Sequence, residues 1–458
     1  MTATTSSELT AVPHVVKGRL VTGADARFGG FCTPTLNIDE LVWNRSEPGP
    51  AFETPLDDII DFLVEVGRAL DYDRNELLQE ALESSLEFST LDRHILENTY
   101  RAVSYFFSRE SLEFQVAHDT GREVLDGWVS LKRPDGGAAR VRAYPPRLAH
   151  ITAGNTPAVS VTTIVRGALG KGVNLLKMPV NDLFTATAIL RTMMEVGPDH
   201  PTTRSFSAVY WRGGDEGVES AIMRSHFFDK LVVWGGGAAV DSALRYAAPG
   251  FEIVSFDPKV SISMVSGESL TDDETMRAIA ARAATDVTLF NQDACAASRY
   301  LYTDGDEAQV DRFCELLADE LRVERLLSSV RSSPLPGEVQ NEIEVLKGLD
   351  PIYRVWGDYS GTGLVVRSDD PVDFYPISKT VNVVVVDDLR DALRFANIST
   401  QTVGVWPPEK GAELRDGLAS RGVQRIARLG EVAVPYDGLP HDGFYPMSRV
   451  ARWVMDDS

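Results

Sequence analysis

The chain has 458 residues, too many for one simple core, so two or three structural units are expected. Its hydrophobic fraction of 43% and charged fraction of 24% are ordinary for a globular protein, and a net charge of −22 argues against nucleic acid as the main partner, because phosphate binding calls for clustered Lys and Arg. The N-terminal segment has no basic region followed by an apolar run, and no stretch reaches about 18 consecutive apolar residues, so neither a secretory signal nor a membrane span is expected.

In chain order, residues 1–50 read as irregular, with one strand candidate at His14–Thr22. Thr54-Pro55 suits a helix start, and Ile59, Phe62, Leu63, Val66 and Leu70 then recur at helical spacing. More helix is expected from Asp73 to about Val116. Trp128–Lys132 and Ala139–Tyr144 flank Arg133-Pro134-Asp135-Gly136-Gly137 and read as a hairpin. From Arg147 short apolar strands (Leu148–Ala153, Val173–Lys177, Phe206–Trp211, Leu231–Trp234, Glu252–Ser255) alternate with helices (Ala158–Lys171, Asp182–Val196, Asp215–Ser225, Ala238–Ala247). That alternation implies a parallel sheet covered on both faces, which binds ligands beyond its C-terminal strand ends.

A second alternating run starts near residue 260. Helix Asp272–Thr288 leads to Cys295, then strand Arg299–Thr303 and helix Glu307–Leu327. Strand Val381–Asp387, helix Leu389–Ala396, strand Thr402–Trp406 and helix Glu409–Arg421 complete it, after a loop-like stretch, with some helix, at Ser328–Pro351. Two α/β units with an active site between them are therefore expected.

Cys32, Cys295 and Cys314 show no paired spacing, which fits a reducing, cytoplasmic setting, and the seven scattered histidines give no metal-ligand spacing. Cys295 stands among small residues between a helix and a strand, where a carbonyl can approach a thiolate. A buried structural cysteine is the plainer reading of any single Cys, and Cys314, mid-helix beside Phe313 and Leu316, fits it. Asn155, after the first strand of the sheet, could donate to an oxyanion or simply make a turn before Pro157. Gly235-Gly236-Gly237 before a helix suits a phosphate, or a plain tight turn. Lys177 and Pro179 close the second strand, where a lysine can reach a cofactor or stay solvated.

The order of these elements resembles the aldehyde dehydrogenase superfamily. Asn155-Thr156-Pro157 resembles its Asn-x-Pro element, Lys171–Pro179 its lysine strand, Trp234-Gly235-Gly236-Gly237 its cofactor turn, and Gln292-Asp293-Ala294-Cys295 its nucleophile segment. The resemblance implies two doubly wound Rossmann-like α/β domains plus a small bridging or oligomerisation β element. On that plan residues 1–126 supply the N-terminal segment and helices of the cofactor-binding domain, and 127–145 the bridging hairpin. Residues 146–259 form the cofactor-binding domain, 260–435 the catalytic domain and 436–458 a C-terminal tail.

Hydrolytic members carry a glutamate base where this chain has Ser255-Phe256-Asp257-Pro258-Lys259, and serine cannot take that proton at neutral pH. The glutamate that binds the nicotinamide ribose, expected near Tyr375–Thr380, is not evident either. A thioester at Cys295 would then resist water, which points to reduction of an acyl thioester to an aldehyde. His150–Pro157, Asn181–Ala186, Asn291–Cys295 and Pro440–Gly443 resemble fatty acyl-CoA reductases of the LuxC type. That resemblance implies Cys295 as nucleophile, Asn155 as oxyanion donor, and Lys177, Pro179 and Gly235–Gly237 as cofactor contacts. It also implies NADPH, with NADH as the alternative, an acyl-CoA or acyl-carrier-protein substrate, and a homo-oligomer. Val180 in place of a carboxylate favours a 2′-phosphate, although Asp182 is close. His441 is a candidate proton donor, with loop packing as its other reading. Three other functions stay in view: an oxidative aldehyde dehydrogenase, an acyl-phosphate reductase, and a cofactor-binding subunit without activity.

Overall fold

The computed structural model describes residues 9–434 and 437–458. They form two compact units, one of residues 9–257 with 437–458 and one of 258–434.

The first unit is built on a seven-stranded sheet. Its parallel part runs, across the sheet, Glu252–Phe256, Lys230–Trp234, Arg147–Ile151, Val173–Lys177, Phe206–Val209. Val173–Lys177 is buried along its whole length, as a strand covered on both faces must be. Helices Ala158–Leu169, Thr185–Val196, Glu216–Ile222 and Gly237–Leu244 link the strands. Antiparallel strands His14–Val16 and Arg19–Val21 extend the far edge.

These last two correct the single strand expected over His14–Thr22. Lys17 (φ 50°) and Gly18 (φ 69°) turn the chain between them. A Cβ on Gly18 would lie 2.7 Å from the Thr203 carbonyl oxygen, so only glycine fits that left-handed position. The helix expected from Asp73 to Val116 is also broken, into Glu76–Ser85, Arg93–Ala102 and Arg109–Gln115. Asn75, Asp92 and Ser108 each accept a backbone N–H and restart a helix.

The hairpin Val129–Lys132 and Ala138–Tyr144 gains a third strand, Arg452–Asp456, from the C-terminal segment. Its alternating Trp453 and Met455 stay exposed.

The second unit repeats the layered plan. Its sheet order is Arg354–Asp358, Gly363–Ser368, Thr380–Val385, Ser298–Thr303, Val260–Val265, Thr400–Trp406, Arg425–Arg428. All neighbours are parallel except the first pair. Helices Asp273–Val287 and Glu307–Leu321 pack one face through Ile279, Ala283, Phe313, Cys314 and Leu317. Cys314 is a core residue, its thiol pushed well up by burial. The helix begun by the Asp306–Gln309 capping box ends at Leu321, short of the expected Leu327. Leu389–Phe395 is a 3₁₀ segment rather than an α-helix.

Candidate active site

In the first unit the strand ends carry the residues expected to meet a cofactor. Thr152 caps the strand pair, donating through its N–H (3.3 Å) and Oγ (2.9 Å) to the Lys177 carbonyl. Gly154 follows in the loop. A Cβ there would sit 2.0 Å from Asn181 Oδ1 and 3.0 Å from Pro179 Cγ, so the Asn155 loop and the Pro179 loop close on each other only because residue 154 is glycine. Asn155 is half-buried beside it, and Pro157 starts the helix Ala158–Leu169.

Lys177 is buried with its ammonium 5.8 Å from the Tyr210 ring and 5.7 Å from the Trp211 ring. Burial lowers its pKa, and the Glu219 carboxylate opposes that shift. Glu219 is itself satisfied by Trp211 Nε1, the Gly214 N–H and the Tyr246 hydroxyl. Val180 is 55% exposed two residues past Met178, so no carboxylate stands at that position.

The glycine turn joins strand Lys230–Trp234 to helix Gly237–Leu244. No side chain caps that helix, and a Cβ on Gly236 or Gly237 would meet nothing within 4 Å. Uncapped N–H groups facing open space suit a phosphate. An uncapped turn and a desolvated lysine, on the two strands that flank Arg147–Ile151, fit a dinucleotide. His441 stands edge-on to Trp234 (5.4 Å) and Phe256 (5.1 Å), two rings stacked 3.6 Å apart. Ser255 lies in strand Glu252–Phe256, opposite Val233.

The second unit holds Cys295, exposed, while Cys32 and Cys314 are buried. Helix Asp273–Val287 ends, and Phe290 (φ 51°), Asn291 (φ 53°) and Gln292 (φ 74°) follow in the left-handed region. Three such residues in a row, none glycine, store strain that the surroundings must hold. Gln292 is buried and clamps Thr380, donating to its carbonyl (2.7 Å) and accepting its N–H (3.1 Å). Asn291 bonds Ser329 in both directions, donating to its hydroxyl oxygen (2.9 Å) and accepting its N–H (3.0 Å). Ser261 Oγ donates to the Cys295 carbonyl at 2.8 Å. Arg299, on the strand after the loop, donates to the carbonyls of Gln292 (2.7 Å) and Pro376, with the Tyr375 ring 4.4 Å away.

Of the residues singled out in the sequence, Asn155, Lys177, Pro179, Gly235–Gly237 and His441 belong to the first unit and Cys295 to the second. Gln292, Arg299, Tyr375 and Ser261 escaped sequence reasoning. The one available signal was an arginine opening an apolar strand, Ser298–Thr303.

Solved structures place this architecture in a class. It superposes on an NADP-dependent glyceraldehyde-3-phosphate dehydrogenase from Bacillus halodurans, complexed with NADP, with TM-score 0.72, 12% identity, and 98% of this chain and 99% of that one covered. Lactaldehyde dehydrogenase from Escherichia coli gives 0.71, 14%, 98% and 100%. The fold is that of the aldehyde dehydrogenases. Within that class, the family model described as acyl-CoA reductase (LuxC) matches residues 51–453, and the chain belongs to that family. Two curated relatives are each named long-chain acyl-protein thioester reductase. That of Aliivibrio fischeri is 29% identical over 415 residues, covering 87% of this chain and 82% of its own. That of Vibrio harveyi is 26% identical over 455 residues, covering 97% and 92%. The protein is an oxidoreductase of the acyl-thioester-to-aldehyde type.

Proposed function

We propose that this enzyme reduces a long-chain acyl thioester to its aldehyde through an acyl intermediate on Cys295, with NADPH as reductant. The observation that carries the reading is the exposed Cys295 on a loop held in strained geometry, in a chain with serine where hydrolytic relatives place the base. The Cys295 thiolate attacks the thioester carbonyl carbon, and the C–S bond to the carrier breaks. The carrier leaves as a thiolate and takes up a proton. The acyl group is then a thioester on Cys295, and Ser255 offers no basic group to turn water on it. When bound, reduced nicotinamide supplies the hydride that takes the acyl carbon to the aldehyde level. The Cys295 thiolate is released as the aldehyde leaves.

Asn155 is assigned the oxyanion hydrogen bond, and Lys177, Pro179 and Gly235–Gly237 the cofactor, by correspondence with the family motifs. Exposed Val180 supports NADPH, since a carboxylate there would repel a 2′-phosphate. The names of the relatives support a protein-borne long-chain acyl group. The unpaired spacing of the cysteines along the sequence supports a reducing cytoplasm, and among the described residues no helix is long and apolar enough to cross a membrane. Exposed Leu131, Trp453 and Met455 on the three-stranded sheet support a homo-oligomer.

The test supplies acyl thioesters of graded length, on coenzyme A and on a carrier protein, with NADPH or NADH. Free thiol, aldehyde and oxidised cofactor in equal amounts are expected, with NADPH preferred. Acid from a free aldehyde without a thiol acceptor, or turnover of acyl phosphate alone, would replace this reading with one of its rivals.

A further inference from the structure

The residues 258–435 contain no histidine, so the unit that carries Cys295 has no imidazole of its own to pair with the thiol. A cysteine reacts as thiolate, and the usual means of lowering its pKa are a neighbouring cation or a helix N-terminus. Cys295 follows the end of a helix rather than the start of one, and the strand Ser298–Thr303 comes next. Within this unit a cation is the means at hand. Arg299 is four residues on, 6% exposed, and inside the electrostatic reach of Cys295. Two of its nitrogens hold the carbonyls of Gln292 and Pro376, and its buried Nε has no hydrogen-bond partner among the described residues. Tyr375, itself 47% exposed, covers the guanidinium.

We propose that Arg299, braced by Tyr375, is the positioning residue of the nucleophile, fixing the left-handed Cys295 loop and holding the sulfur as thiolate. The first role follows from the bond to Gln292, the third of the three left-handed residues. Losing it frees the strained carbonyl from its cation. The second follows from charge. The Tyr375 ring stacks on the guanidinium, Asp293, Tyr300 and Cys295 act on it electrostatically, and Asp373 acts on Tyr300. Lys379, four residues after Tyr375, is another buried cation, but its ammonium donates to the carbonyls of Ser329 and Val330. Burial lowers the pKa of Arg299 and the anionic groups oppose that, so a guanidinium that starts far above neutral stays charged. A cation in this place favours the ionised sulfur, and its removal raises the thiol pKa.

The proposal rests on Cys295 being the nucleophile of the reaction above, but it is tested without that reaction. Iodoacetamide is added to the full chain across a pH series, and alkylation at Cys295 is followed by peptide mass. Thiolate displaces iodide, so the rate follows ionisation. The wild-type midpoint is expected clearly below the ordinary thiol value of about 8.5. Arg299→Gln is expected to raise it by about one unit or more, and Arg299→Lys, which keeps the charge, to stay nearer wild type. A wild-type midpoint at or above the ordinary value overturns the proposal even if Arg299→Gln does not fold. A folded Arg299→Gln with an unchanged midpoint also overturns it. A low midpoint that depends on Arg299, in a protein that reduces no thioester, would sink the proposed function and leave this inference standing.

Discussion

The two halves of the proposed catalytic equipment are built in opposite ways. The Cys295 loop is over-determined: three left-handed residues are held by Gln292, Asn291 and Arg299, whose partners lie on separate segments. The glycine turn is under-filled: its helix has no side-chain cap, and Gly236 and Gly237 face open space. The difference follows from what each must do. A nucleophile has to be held in one geometry before substrate arrives, at the expense of local strain. A phosphate cradle must leave its N–H groups unclaimed until the ligand claims them.

Cys295→Ala should have the largest effect, a loss of activity of at least about a thousandfold with the melting temperature nearly unchanged. Activity within tenfold of wild type would move the chemistry elsewhere. Gln292→Ala should come next, removing the amide donor to the buried Thr380 carbonyl and leaving the Thr380 N–H with the Ile377 carbonyl (3.1 Å). A destabilisation of about 1–3 kcal/mol is expected in denaturant titration, with Cys295 alkylation slowed as the loop relaxes. Lys177→Ala should act only on the other half. The KM for cofactor should rise about tenfold, and Cys295 alkylation should not change.

The units should also differ in their response to pH. His14 and His150 are buried, and burial lowers both pKa values to about 4. The unfolded chain binds these protons near pH 6.5, so stability from the two neutral rings is complete above that value. It is lost as pH falls toward 4. Asp286 in the second unit is opposite: burial raises its pKa to about 7, against N–H bonds from Gly430 and Val432. Its contribution is present at low pH and fades as pH rises through 7. Hydrogen exchange resolved by peptide should show the first unit loosening on acidification and the segment at Gly430 loosening toward alkaline pH. A uniform response would remove this distinction. His441→Ala should have the smallest effect, a few-fold at most in turnover, because the ring packs on Trp234 and Phe256.

How far the sequence reveals this depends on the range of the interactions. Strand Val173–Lys177 carries Val173, Leu175 and Leu176 within five residues, and its ends match the expectation. Asn155, Lys177 and the glycine turn are recognisable because each follows directly on its strand. Gln292 and Arg299 are not, because their partners Thr380 and Pro376 lie 88 and 77 residues away and only folding brings them together. The third strand of the small sheet, Arg452–Asp456, is hidden for the same reason: it pairs with Ala138–Tyr144 from the far end of the chain. The break at Lys17-Gly18 was missed for a different reason. Lys17-Gly18-Arg19 separates Val15-Val16 from Leu20-Val21 by too little to break the strand pattern on its own, and the positive φ of Lys17 and Gly18 reverses the chain there.

The central claim is that Cys295 carries an acyl thioester that water does not readily discharge. The direct measurement is intact and peptide mass after adding an acyl-CoA thioester in the absence of nicotinamide. The account predicts one acyl adduct per chain on the Cys295 peptide, one equivalent of free thiol, and an adduct that persists until NADPH is added and then leaves as aldehyde. Absence of the adduct in a preparation that consumes cofactor, or its rapid loss as acid without cofactor, would contradict it.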